Sequence, residues 1–396
     1  MALTSKLTGA CWGLALLGML LASTAARADA VTDWNGAACT ILSGAHLNAA
    51  RADRVLAIMH TAMYRAARAS SSQAGVDLDA ALAASGRTTL LAQAPSEQAA
   101  IEAAYQSALA KARADPGARA AGIAAGQAAA AAVLAARSED GASLDMAYQP
   151  GGNSPGEYVP TMQEIAPVLV HWGRRKPWLM ASADAFRPPP PPALSSAAWA
   201  RDLQEMRDFG GRNSTRRSAA ETATARFWAA NSPLIFFNLA RGVAQMPDRS
   251  VLRNARLYAA LAQAIDDTTI AVFDAKYHYR FWRPVTAIGR DDPAWTPLLD
   301  TPPHPEYPCA HCAVASVVAT VLQAELGRAS PPLLETSSPS AAGERRQWHS
   351  PAAFSQEVAL TRIHGGVHFR SSTEAGTALG QRIGALAASS FRLGRD

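Results

Sequence analysis

Residues 96–136 of this 396-residue chain are dominated by Ala, Gln and Glu, with a single interruption at Asp115-Pro116-Gly117. Ala is the strongest helix former, and Pro in a helix interior costs about 3 kcal/mol, so the stretch reads as one or two long helices broken at that turn. Strand-like alternation is nearly absent from the rest of the chain. A sheet is therefore not expected to organise the core. The fold class predicted is all-α, a helical bundle.

Apolar spacing at helical period marks further helices over 48–69, with Asn48 as N-cap, and over 197–209, 219–230 and 248–282. A helix opening at Cys309 is expected to reach about residue 326, and two more cover 352–364 and 368–391. Between 138 and 195 the pattern dissolves into Gly and Pro, including five consecutive prolines at 188–192. This segment predicts a long surface loop. Its apolar patches, Val168-Leu169-Val170 and Trp178-Leu179-Met180, predict that it packs down onto the helices. No internal repeat is evident.

Lys6, an apolar run over 10–22 and Ala26-Arg27-Ala28 have the order of a secretory leader cleaved after Ala28. Residues 1–28 are thus expected to be removed, and the product to be periplasmic or secreted. Residues 29–396 read as a single all-α domain, with a loop-rich part over 29–247 and the oxyanion-binding part over 248–396. No later stretch reads as the about 18–20 strongly apolar residues of a membrane span. The net charge of +5 is diffuse, with no Lys/Arg block of five or more, so nucleic acid is not an expected partner. Three of the four cysteines follow Ala28. Cys309 can pair with Cys312 or Cys39 or stay a thiol.

Three short segments carry the chemistry. Lys276 and Arg283 are separated by seven positions, which in a continuous helix puts both cations on one face two turns apart. Pro284 disfavours the α region at Arg283, so the helix is expected to stop there. Pro308-Cys309-Ala310 leading into a helix presents free N–H groups and the positive end of the helix dipole, and the small residues let an oxyanion approach. His311 follows in the first turn, within reach of a bound anion as acid or base. Arg362 and His368 flank Gly365-Gly366, a break that lets both aim inward. Singly, each segment has an ordinary reading: a solvated helix face, a cap, a core histidine. Jointly they describe one site with three cations, backbone donors and two imidazoles, suited to phosphate or vanadate. The zinc alternative, with Cys309, Cys312, His304 and His311 as ligands, has acceptable ligand types but unsuitable spacing. The Cys-x-x-Cys pair lacks the βαβ context of a thiol oxidoreductase.

In order and spacing the three segments resemble the signature of the vanadium-dependent haloperoxidases and type 2 phosphatidic acid phosphatases: Lys-x6-Arg-Pro, Pro-Ser-Gly-His and Ser-Arg-x5-His. Cys309, Ala310 and Thr361 stand where that signature has Ser, Gly and Ser. Flanking residues Phe281-Trp282, Pro302-Pro303-His304-Pro305-Glu306-Tyr307 and Gly366-Val367 with Phe369-Arg370 are similar to the haloperoxidase versions. The resemblance implies a vanadate cofactor bound by Lys276, Arg283, Cys309, Ala310 and Arg362, with His368 as the ligand to the metal. His311 becomes the acid/base, and Phe273 and His304 the halide side of the site. It implies an exported enzyme oxidising halide with hydrogen peroxide. The alternative is a periplasmic acid phosphatase acting on a phosphate ester through a phosphohistidine at His368, with no cofactor. A third reading, a non-catalytic oxyanion-binding or scaffold protein, is motivated by Cys309, whose thiol is a weak donor and, ionised, would repel an anion and react with peroxide. Oligomeric state is not readable from the chain.

Overall fold

Helix starts fall where a side chain can accept the free amides of a first turn. Arg51 N–H donates to Asn48 Oδ1 at 3.0 Å, and Gly117 and Ala118 N–H donate to Asp115 Oδ1 at 2.8 and 3.3 Å. The computed structural model describes residues 29–394 except 46, 113–114, 163 and 231–232; the expected leader, 1–28, lies outside them. In chain order the helices are α1 (Ala30–Gly44), α2 (Ala49–Ser71), α3 (Leu78–Gln93), α4 (Gln98–Leu109), α5 (Pro116–Ala136), α6 (Ala197–Glu205) and α7 (Ala219–Phe227). They continue as α8 (Pro233–Ala244), α9 (Val251–Tyr279), α10 (Pro284–Gly289), α11 (Ala310–Leu326), α12 (Pro351–His364) and α13 (Arg370–Phe391). One antiparallel hairpin, β1 (Leu334–Ser337) with β2 (Arg345–Trp348), pairs Leu334 with Trp348 and packs beside α8. The protein is a helical bundle, as its composition predicts.

α9 runs through the middle, packing on α2 along one side and on α11 and α13 along another. α13 approaches α11 closely because Gly376 and Gly380 face it: a Cβ on either would lie 2.4 Å from the Cys309 carbonyl oxygen or 2.2 Å from that of Ala313. This contact sets the position of the α11 N-terminus. α5 packs on α3 in the same manner, through Gly122 and Gly126. Contrary to the sequence reading, α5 is long and apolar enough, by length and composition, to cross a membrane; here it is one helix of the bundle.

Residues 138–195 form the expected loop, with a single 3-10 turn at Trp172–Arg174. The helix expected over 248–282 is shorter. α9 ends at Tyr279, and Arg280 adopts a left-handed conformation (φ 48°). The extended residues that follow pair with the long loop: Tyr158 N–H donates to the Arg280 carbonyl at 2.7 Å and Trp282 N–H to that of Gly156 at 3.0 Å. Helices α1, α3, α8 and α10 and the hairpin are not anticipated by the sequence reading. In α3 every residue from Ala80 to Gly86 is buried, so no polar face interrupts the pattern.

Candidate active site

The three segments meet at one wall of a 590 Å³ cavity. Lys276 lies in the last turn of α9 and is fully buried; its Nζ donates to the Pro305 and Glu306 carbonyls, both at 2.8 Å. Burial, reinforced by Arg283, holds its pKa well below the ordinary lysine value. Arg283 is not on the α9 face where continuous helix would put it. It occupies the extended N-cap position of α10, as Pro284 requires. From there Nε donates to the His304 carbonyl (2.9 Å), one terminal nitrogen to the Val367 carbonyl (2.9 Å), and the other to His304 Nδ1 (2.9 Å). Burial lowers its pKa to about 10.

His368 follows the break after α12. Gly366 sits at φ 75°, and a Cβ there would lie 2.3 Å from the Gly210 carbonyl, so only glycine makes this turn. Val367 and His368 N–H both return to the Arg362 carbonyl, at 3.2 and 3.3 Å. His368 Nδ1 is 2.8 Å from Glu306 Oε1, and Phe369 N–H donates to the same oxygen at 3.1 Å. An oxygen serving two such partners is an acceptor, so Nδ1 carries the ring proton. Nε2 keeps its lone pair. Arg283, which has only donors, lies 3.4 Å from Nε2, in agreement with that tautomer. A carboxylate that fixes the far nitrogen of a ligating histidine is a recurrent device of metal sites. Burial raises the Glu306 pKa to about 7 against the opposing pull of Lys276 and Arg283, while burial and Arg283 keep His368 neutral.

Arg362, in the last turn of α12, is 2% exposed and donates to the Trp228 carbonyl at 2.7 Å; its Nε is buried with no partner among the described residues. Burial and Arg283 bring its pKa down to about 9. His311, in the first turn of α11, hydrogen-bonds the Ala230 backbone through one ring nitrogen, and its buried Nε2 has no partner. Burial and Arg362 hold it neutral.

Ala310, His311, Arg362, His368, His304 and Phe273 line the cavity; Lys276 and Arg283 stand behind that wall. Phe273 meets His304 edge to face at 5.2 Å. Cys309 departs from the thiol weighed for it. It is bonded to Cys312, fully buried, and its Sγ accepts the Cys312 amide at 3.1 Å, so it offers no S–H to an anion and no thiolate to zinc. Glu306 escaped the sequence reading, where a lone Glu in a proline-rich loop carries no signal beyond its place three residues before Cys309. Basic side chains therefore outnumber carboxylates here, and three donor or acceptor atoms, Arg362 Nε, His311 Nε2 and Glu306 Oε2, remain open among the described residues. A tetrahedral oxyanion fits that set; vanadate or phosphate would complete it.

Residues 256–393 match the family model of the vanadium chloroperoxidase (VCPO) second helical-bundle domain. Vanadium chloroperoxidase of Curvularia inaequalis is 26% identical over 205 aligned residues, 42% of this chain and 33% of the relative; the chain thus spans about a third of that protein. Among solved structures, a bacterial vanadium-dependent iodoperoxidase superposes with TM-score 0.79 at 21% identity, covering 90% of this chain and 94% of that one. The holo form of a bacterial vanadium-dependent chloroperoxidase gives 0.72 at 16%, covering 93% and 95%. The three signature segments fall within the matched residues, and the chain as a whole has the helical fold of the bacterial vanadium haloperoxidases.

Proposed function

We propose that the protein is a vanadate-dependent haloperoxidase, exported to the periplasm or medium after loss of residues 1–28, that oxidises halide with hydrogen peroxide. The observation that supports the proposal is the set of three buried basic side chains around a histidine whose Nε2 keeps its lone pair, with only a long 3.4 Å contact from Arg283. Uncompensated buried charge costs several kcal/mol, so the cradle is built for an anion. His368 Nε2 is the ligating atom, with Glu306 holding the ring proton on Nδ1. Arg362 would face the anion's oxygens from the cavity wall, Arg283 and Lys276 would add positive charge from behind it, and the Ala310 and His311 amides would add the helix N-terminus.

Vanadate, when bound, supplies the centre at which peroxide is activated and its oxygen passed to halide. His311 takes the proton peroxide gives up on entering; its open Nε2 and neutral ring suit a base. His304 lines the halide side with Phe273. His304 Nδ1 lies 2.9 Å from an Arg283 nitrogen and 3.1 Å from the Pro305 carbonyl, which fixes the ring with its Nε2 edge turned away from both. The Cys309–Cys312 bond favours peroxide chemistry over the scaffold reading, since it removes the oxidisable thiol from the cradle. Cys39, the free cysteine of the described residues, is buried in the core with its pKa pushed up to about 12. A phosphatase would use the same atoms, with His368 Nε2 as nucleophile and His311 protonating the leaving group.

The test loads the protein with orthovanadate and assays peroxide-dependent halide oxidation and, without vanadate, phosphate-ester hydrolysis. Halide oxidation without hydrolysis is the expected result. Hydrolysis alone would establish the phosphatase, and neither activity with oxyanion binding intact would leave a non-catalytic binder.

A further inference from the structure

On the haloperoxidase reading, halide, peroxide and one oxyanion would fill only part of the 590 Å³ cavity, a volume in the range of sites for small organic molecules. At the other end α2 contributes Asp53 and α9 contributes Thr269. Thr269 lies two turns before Lys276 on α9, about 10 Å along the helix axis. Its hydroxyl is already satisfied, donating to the Asp266 carbonyl at 2.9 Å and accepting from Trp172 Nε1 at 3.0 Å. Asp53 is different. It is 6% exposed, lines the cavity, and has no hydrogen bond or ion pair among the described residues. A buried carboxyl with no donor is costly unless something completes it.

The apolar lining of the cavity includes Val168, Leu169, Phe236 and Val314. The other charged side chains near this end, Arg212 and Asp300, are exposed at the mouth. The cavity is thus polarised, cationic at His368 and acidic at Asp53, with aliphatic and aromatic side chains in its lining. We propose that it holds an organic amine, with its ammonium on Asp53 and its apolar body along Val168, Leu169, Phe236 and Val314. An ammonium brings three donors and a positive charge to the one group of that end lacking both. Burial and the neighbouring Asp266 push the Asp53 carboxyl well above the usual range, the state that a bound cation reverses. The proposal rests on the haloperoxidase reading in treating the amine as the substrate placed beside the oxidant; the binding itself does not.

The test is calorimetric titration of the vanadate-free full chain with phenethylamine and with 2-phenylethanol, which differs in having a hydroxyl for the ammonium. Saturable amine binding at least tenfold tighter than the alcohol is expected. Asp53→Asn should weaken amine binding tenfold or more while vanadate affinity stays within twofold, which also reports that the variant is folded. Equal affinity for amine and alcohol, no saturable amine binding, or an Asp53→Asn variant that binds amine as tightly as the parent would each overturn the proposal. The comparison on the unsubstituted protein decides even if the variant does not fold. Amine binding without vanadate binding would sink the haloperoxidase reading alone, and vanadate binding without amine binding would sink this one alone.

Discussion

α9 carries two buried charged clusters about 15 Å apart along its axis, and they are built on opposite principles. In the first, at mid-helix, Arg175 forks onto both oxygens of Asp266 at 2.6 and 2.9 Å, and Trp178 Nε1 adds a third bond at 2.8 Å. Asp267 accepts the Trp178, Leu179 and Met180 amides at 2.6, 2.8 and 3.0 Å. All four carboxylate oxygens have donors from the long loop, leaving Arg175 Nε as the unpartnered atom of this group, and the charge is spent on pinning that loop to the helix. In the second cluster, beyond the end of α9, cations exceed carboxylates and Arg362 Nε, His311 Nε2 and Glu306 Oε2 are buried without partners. Closed charge holds a fold together, whereas open charge waits for a ligand.

Breaking the closed cluster should have the largest effect. Asp266→Ala leaves Arg175 buried without its main partner and should cost about 3–5 kcal/mol in urea unfolding. Oxyanion affinity of the folded fraction should stay within about twofold. A loss below about 1 kcal/mol would mean that the cluster is not what fastens the loop.

The open cluster should answer the other way. His368→Ala should lower vanadate and phosphate affinity by roughly 100-fold or more, a change of about 2.8 kcal/mol. Unliganded stability should move by less than about 2 kcal/mol, as for ordinary substitutions. Titration of the parent and variant with orthovanadate checks both, and unchanged affinity would remove His368 from the site.

Acid provides a third separation. His60, fully buried against Phe237 and Tyr258 and bonded to Asn35 Oδ1 at 3.0 Å, has its pKa lowered to about 3 by burial. Between that value and about 6.5 the unfolded chain binds the proton and the folded chain does not. Stability is therefore full above about pH 6.5 and falls as pH drops, by up to about 1.4 kcal/mol per pH unit for this group. His60→Gln should reduce the slope by about one proton's worth between pH 6 and 4; an unchanged slope would place the titrating group elsewhere.

The smallest effect is expected at the disulfide. Replacing Cys309 and Cys312 by Ser should cost about 1–2 kcal/mol, as for a short closed loop, with oxyanion affinity within about threefold. The unfolded, unreduced parent should show no thiol from either residue in an Ellman titration. A tenfold gain in affinity would restore Cys309 to the binding set.

What the amino-acid pattern made legible follows from what it encodes locally. The grouping of Lys276, Arg283, His311, Arg362 and His368 is readable because each sits at a fixed offset from a helix end or a proline. The same holds for Asn48 as a cap and for the break at Asp115-Pro116-Gly117. α3 and α8 were not legible: α3 is buried through a whole stretch, and a helix without a wet face shows no period. The end of α9 was missed because Tyr277-His278-Tyr279-Arg280 contains no Gly or Pro, and the left-handed turn at Arg280 is supported by pairing with residues more than a hundred positions earlier. Glu306 and Asp53 are invisible for a related reason. Their meaning lies in burial and in missing or special partners, which no spacing records.

That pairing bears on how far the site can be treated as a module. The family-model match begins at residue 256 and contains the three signature segments, yet Arg280 and Trp282 are held by Tyr158 and Gly156, and Arg362 is aimed by the Trp228 carbonyl. The C-terminal segment supplies the reagents, and the residues before 256 supply the jig. A fragment of residues 256–393, or a graft of it onto another N-terminal part, would carry the whole signature and still leave Arg362, and the backbone leading into Arg283, without the supports that orient them.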